Sequence, residues 1–120
     1  MQARVDISNK VAPDYFVCIH CNSYDGTAAG GTETYTYTLG TKGEVLAKAV
    51  QSELVKAIGL SDRGVSTASF YVLKYTNAPA ILAELGFLSN AIEERLLGTD
   101  AFQNKCATAI AKGIIDTLKN

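Results

Sequence analysis

Seven residues, Tyr15-Phe-Val-Cys-Ile-His-Cys, constrain the fold more than any other stretch of the chain. Apolar side chains fall on both alternating faces, and a strand that is apolar on both sides needs cover on both sides. That is the pattern of a parallel strand between helical layers, so we expect a central strand here. Ala80 to Leu85 has the same character and, with Ser69 to Tyr75, reads as two strands around the turn Thr76-Asn77-Ala78-Pro79. Thr32 to Leu39 alternates threonine and tyrosine, which predicts a strand with one face partly exposed.

Helical signals stand between these runs. Residues 2 to 12 read as a helix that stops before Pro13, because the residue preceding a proline is pushed away from helical angles. Thr41 and Glu44 have capping-box spacing ahead of Leu46, Val50, Leu54, Ala57 and Ile58, with Gly59 as the stop. Asn90 and Glu93 repeat that spacing and open a short helix closed near Gly98. Asp100 is the expected cap of a last helix that buries Phe102, Cys106, Ile110, Ile114 and Leu118. Strands interleaved with helices predict an α/β fold, a mostly parallel sheet with helices on both faces and no internal repeat.

With 120 residues, 48% of them apolar, the chain suits one small domain with a real core. Eleven basic and twelve acidic residues give a net charge of −1, so no basic field gathers nucleic acid or anionic lipid. The longest apolar runs fall far short of the roughly 20 residues of a spanning helix. Met1 to Lys10 lacks the basic start and apolar stretch of a secretory signal, which places any export signal outside these residues. Cys18, Cys21 and Cys106 are an odd set, expected to be reduced core residues.

Two polar residues sit where a core does not want them. His20 lies in the first apolar run, and Glu84 lies in Ala-Ile-Leu-Ala-Glu-Leu-Gly-Phe. A carboxylate among apolar neighbours costs several kcal/mol unless it is paired, protonated or bound to a cation. The histidine can be a satisfied strand-end residue and the glutamate can be salt-bridged. Alternatively, the two face one another across a cleft at the carboxyl edge of the sheet, as a metal or acid/base site. Cys18 and Cys21 have Cys-x-x-Cys spacing, but on one strand they point to opposite faces and cannot share an ion or pair.

Over Arg4 to Leu118 the chain resembles the second half of the zinc-dependent N-acetylmuramoyl-L-alanine amidases, which cut peptidoglycan. The resemblance is carried by Asp14-Tyr-Phe-Val-Cys-Ile-His-Cys-Asn-Ser, Gly31-Thr-Glu-Thr-Tyr, Asp62-Arg-Gly-Val, Phe70-Tyr-Val-Leu and Ala78-Pro-Ala-Ile-Leu-Ala-Glu-Leu-Gly-Phe-Leu-Ser-Asn. It implies a phosphorylase/hydrolase-like amidase fold and hydrolysis of the amide between N-acetylmuramic acid and L-alanine. In such enzymes two histidines and a glutamate hold Zn2+ beside a separate catalytic glutamate. By position, His20 resembles a zinc ligand and Glu84 the catalytic glutamate. Asn22 and Arg63 are candidates for substrate binding, the first otherwise a loop anchor and the second otherwise a turn-stabilising residue. Glu33 matches a supporting glutamate or is a solvated strand-end carboxylate.

The resemblance also implies what is not here. The family's first histidine ligand and its glutamate ligand belong before the segment that matches Arg4, and His20 is the single histidine of the chain. We therefore expect residues 1–120 to be one incomplete amidase catalytic domain with its N-terminal part missing, and a helix at Met1 that looks cut. The lone strong ligand should hold zinc poorly. An uncovered sheet edge would favour self-association. Peptidoglycan is the expected partner, with action at the cell wall as a phage endolysin, autolysin or other exported bacterial enzyme. The alternative is a non-catalytic assembly or wall-binding module derived from such a domain.

Overall fold

The structure, a computed structural model, describes residues 1–119. Its elements are α1 (Gln2–Val11), β1 (Phe16–Asn22), β2 (Thr32–Thr36), α2 (Lys42–Ile58), β3 (Asp62–Thr67), α3 (Tyr71–Tyr75), β4 (Ala80–Phe87), α4 (Ala91–Leu97) and α5 (Asp100–Leu118). The four strands form one sheet in the order β1-β4-β2-β3. The β1–β4 and β2–β3 pairs are parallel, and β2–β4 is antiparallel. Helices lie on both faces, as expected for this fold class.

Strand β4 organises the packing, since all eight of its residues are buried and their side chains alternate between two cores. Ile81, Ala83 and Leu85 face Leu46, Val50 and Leu54 of α2, Leu97 of α4, and Phe102, Cys106 and Ile110 of α5. Ala80 and Leu82 face Val5 of α1, Cys18 of β1, and Val72 and Leu73 of α3. Leu46, Leu54 and Ile81 are fully buried, and each such side chain contributes about 1.5–3 kcal/mol of transfer free energy. Beneath β2 the buried Gln51 spans three groups. Its amide donates to the Thr32 carbonyl at 2.9 Å and to Asp62 at 2.8 Å, and its oxygen accepts from the Thr34 hydroxyl at 2.9 Å. This fastens α2 to β2 and β3 without leaving a buried amide unsatisfied.

Helix ends follow the sequence closely. The Thr41 hydroxyl accepts from the Glu44 amide, the Glu44 carboxylate reaches back to the Gly40 amide, and Gly59 closes α2 in a left-handed conformation. Asn90 caps α4 by accepting from the Ile92 and Glu93 amides. The Glu93 side chain, however, turns inward instead of completing the box.

Several expectations are corrected. Strand β1, expected to be central, is an edge strand among the described residues, where it pairs with β4, and Ile19 on it is 54% exposed. Strand β2, expected to reach Leu39, stops at Thr36; Thr32, Thr34 and Thr36 are buried on its α2 side, whereas Tyr35 on the other side is only half-buried, so one face is partly exposed as expected. Residues 71–75 are helical, not extended. Val72 and Leu73 are consecutive and both buried in one core, which a strand would split between opposite faces. Strand β3 has mostly exposed side chains and gave no apolar signal. The last helix is capped by Thr99, whose hydroxyl accepts from the Phe102 amide, with Asp100 as its first residue. Cys21 is exposed rather than in the core, and Leu118 is 56% exposed. Among the described residues no helix is long and apolar enough to cross a membrane.

Candidate active site

Three ionisable side chains stand in a row across adjacent strands on the α1/α3 face of the sheet. His20 of β1 is the register partner of Glu84 in β4, and Glu84 is directly opposite Glu33 of β2. Partners in register share a face, so the backbone alone brings the three together. His20 Nδ1 is 3.5 Å from Glu84 Oε1. The two are therefore lateral neighbours, not residues facing one another across a cleft as expected. Glu84 lies inside β4, three residues before its end, rather than at the end.

Glu84 is the unusual member. It is 6% exposed, and its Oε1 is buried without a hydrogen-bond partner among the described residues. Its main chain is held, because the Thr32 hydroxyl donates to the Glu84 carbonyl at 3.0 Å. Burial first and the adjacent Glu33 carboxylate second push its pKa from 4.5 up to about 7. A carboxyl group that titrates near neutrality both takes and returns a proton at the pH where cells work. The salt bridge to an arginine or lysine that would make Glu84 merely structural does not occur among the described residues, where its ion-pair neighbour is His20.

Glu33, by contrast, is well supplied with donors. The Asn22 side-chain amide donates to it at 2.9 Å, and Arg63 Nε lies 3.7 Å away. The Arg63 guanidinium also stacks on the Phe87 ring at 5.0 Å and donates to the Gly30 carbonyl at 3.4 Å. Burial and then the Glu33 carboxylate push the Tyr35 hydroxyl up to about 12. Asn22, Tyr24, Glu33, Tyr35, Arg63 and Phe87 line an open cleft of about 380 Å3. Asn22 and Arg63 thus both anchor Glu33 and border this cleft.

The fit to zinc is incomplete. A catalytic zinc takes three protein ligands, and among the described residues no group of three or more His, Cys, Asp or Glu side chains is placed to hold a metal. His20 offers one imidazole, 41% exposed at its side chain. Glu33 is already engaged, and Cys18 and Cys21 diverge, one buried and one exposed. Sequence reasoning missed Glu93 and Gln51, both buried polar side chains in the shell behind the row. Glu93 carried a signal, a capping-box position, that pointed to the wrong partner.

A sequence model described as N-acetylmuramoyl-L-alanine amidase matches residues 1–116. The chain is 42% identical over 117 residues to YqiI of Bacillus subtilis, covering 95% of this chain and 56% of that protein. It is 36% identical over 117 residues to the N-acetylmuramoyl-L-alanine amidase LytC of the same organism, covering 96% of this chain and 24% of LytC. The crystal structure of an N-acetylmuramoyl-L-alanine amidase from Clostridium difficile 630 superposes with a TM-score of 0.94 at 35% identity, covering 99% of this chain and 65% of that one. The chain thus spans between about a quarter and about half the length of these two curated relatives. Its mixed sheet, the flanking helices and the match over nearly its whole length agree, and the chain belongs to the N-acetylmuramoyl-L-alanine amidase family.

Proposed function

We propose that the protein built on this chain hydrolyses the amide between N-acetylmuramic acid and L-alanine in peptidoglycan. The observation that supports this most is Glu84, a buried carboxyl with an unpartnered oxygen beside His20. Glu84 is the residue we assign to take a proton from the attacking water and deliver it to the leaving amine. His20 is assigned as one ligand of a zinc ion whose other ligands are not among the described residues. Bound zinc supplies acidification of water toward a pKa of about 7 and polarisation of the amide carbonyl. Asn22 and Arg63, at the cleft beside Glu33, are assigned to substrate, with Arg63 facing the acidic peptide stem. Because the bond lies in peptidoglycan, the site of action we propose is the cell wall.

The free edge of β1 and the exposed Ile19 support self-association of the 120 residues taken alone. The test measures zinc per chain after dialysis, together with muropeptide release, for the chain and for His20→Ala. Stoichiometric zinc and release, both lost in the variant, are the expected results for a completed site. No zinc and no release from either sample, with concentration-dependent association, would favour the non-catalytic assembly module.

A further inference from the structure

The antiparallel ladder between β2 and β4 stops at the carboxylates. Glu33 and Glu84 form its last pair, and both neighbouring ladders slip at the same level, between Thr32 and Thr34 in β2–β3 and between His20 and Asn22 in β1–β4. Strand pairing therefore does not fix how far apart the two strands sit just beyond the row. The Thr32 hydroxyl ties β2 to the Glu84 carbonyl within the row, and beyond it a second side chain, Glu93, spans the two strands. The Gly31 amide, two residues before Glu33, donates to both oxygens of Glu93 at 2.9 and 3.1 Å, and the Phe87 amide, three residues after Glu84, donates to Glu93 Oε1 at 2.9 Å. Glu93 itself is 7% exposed, and its backbone is anchored by the Asn90 cap of α4.

We propose that Glu93 is the positioning residue of this site, its carboxylate tying the ends of β2 and β4 together so that Glu84 is held beside Glu33 in the arrangement that handles the proton. The inference rests on the amidase reading above and adds a residue to it that touches neither substrate nor metal. A carboxylate is suited to the task because every lone pair it presents is an acceptor, whereas a glutamine would aim N–H groups at an incoming amide. The approach is close. A Cβ added at Gly30 would lie 2.6 Å from Glu93 Oε2, so Gly30→Ala disturbs the clamp from the opposite side without altering Glu93.

The experiment compares wild type, Glu93→Gln, Gly30→Ala and, as a control, Glu94→Gln on the exposed side of α4, all in the form of the protein that releases muropeptides. Backbone hydrogen exchange at Gly31 and Phe87 is read together with kcat and KM. A lost charge-assisted bond corresponds to about tenfold or more in each of exchange and kcat, with KM moved less than about threefold. Both test variants should show this and Glu94→Gln should not. Two results overturn the proposal: faster exchange at both amides with kcat unchanged, which leaves Glu93 merely structural, or unchanged exchange in the variants. If wild type releases nothing under any condition, the amidase reading itself fails and the positioning role falls with it. An active wild type with an equally active Glu93→Gln sinks the positioning role alone.

Discussion

The two faces of the sheet are built to different standards. On one, α2 and α5 pack so closely that an added Cβ at Gly113 would fall 2.8 Å from the Val50 Cα, and the core they cover is apolar except where Gln51 is paired with Thr32, Thr34 and Asp62 under β2. On the other, α1 and the single turn of α3 cover only the lower part of the sheet, through Val5, Val72 and Leu73. Beyond their reach stands the row His20, Glu84, Glu33. The α2/α5 face supplies stability, and the thinner face leaves room for a carboxyl group that no core would accept. A site that buries a carboxyl oxygen without a hydrogen bond gives up stability, and the rigid opposite face is what allows it.

The largest expected effect breaks the thin face where its chemistry sits. Glu84→Gln should lower kcat for muropeptide release by about 10²–10⁴-fold, the usual worth of a general acid–base group. The same variant should be more stable in metal-free protein at high pH. Folding raises the pKa of this acid from 4.5 to about 7, so the native state binds more protons than the unfolded one between those values. The destabilisation is absent below pH 4.5, grows through the window and is complete above about pH 7. The gap between variant and wild type should widen by up to about 3 kcal/mol over that range, as read by urea midpoints at pH 4.5 and 8. A flat difference would mean that Glu84 is better solvated than its burial implies.

Next in size is a matched pair of truncations. Leu54 is fully buried in the α2/α5 core and Leu82 is 1% exposed in the α1/α3 core. Leucine-to-alanine changes in cores cost about 2–5 kcal/mol, with the larger values where the surroundings cannot collapse. Leu54→Ala should fall near the top of that range and Leu82→Ala near the bottom, because α1 and α3 can settle onto the gap. Equal losses in denaturant unfolding would remove the distinction between the faces.

The sequence revealed the row better than the sheet around it. His20 and Glu84 were legible because an ionisable group inside an apolar run has few bland explanations, and the helices α2 and α4 were legible from their caps. Strand β1 stands at the sheet edge among the described residues, and its apolar pattern reports what its faces are made of, not what lies beside it. Residues 71–75 carry strand propensity in Tyr71, Val72 and Tyr75, but two neighbouring side chains in one core required a helix, and tertiary packing decided. Glu93 was invisible as a clamp since its partners, Gly31 and Phe87, are backbone amides that leave no trace in residue type.

Gly113→Ala sharpens the comparison from the packed side. Alanine is favoured over glycine in a helix by about 1 kcal/mol, yet overpacking costs about 1–3 kcal/mol. Val50 contributes backbone atoms at 2.8 and 2.9 Å that cannot swing aside, so the clash should win by up to about 2 kcal/mol in thermal unfolding. A stabilised variant would show that α2 and α5 can slide apart, and that the face is less rigid than its apolar core suggests.

The smallest stability effect is expected at Arg63, and it decides between two roles. The side chain is 42% exposed, its ion pair with Glu33 spans 3.7 Å, and its remaining contacts are the Phe87 ring and one long hydrogen bond. Half-exposed contacts of this kind are worth about 0–1 kcal/mol, so Arg63→Gln should unfold within about 1 kcal/mol of wild type. If Arg63 meets an acidic peptide stem, the variant should raise KM for muropeptides carrying free stem carboxylates and leave KM for amidated ones nearly unchanged. A loss of stability above about 2 kcal/mol with no such discrimination would instead make Arg63 the strut that holds Glu33 against Glu84. The cleft beside it would then lack its cationic end, and stem recognition would have to come from outside the described residues.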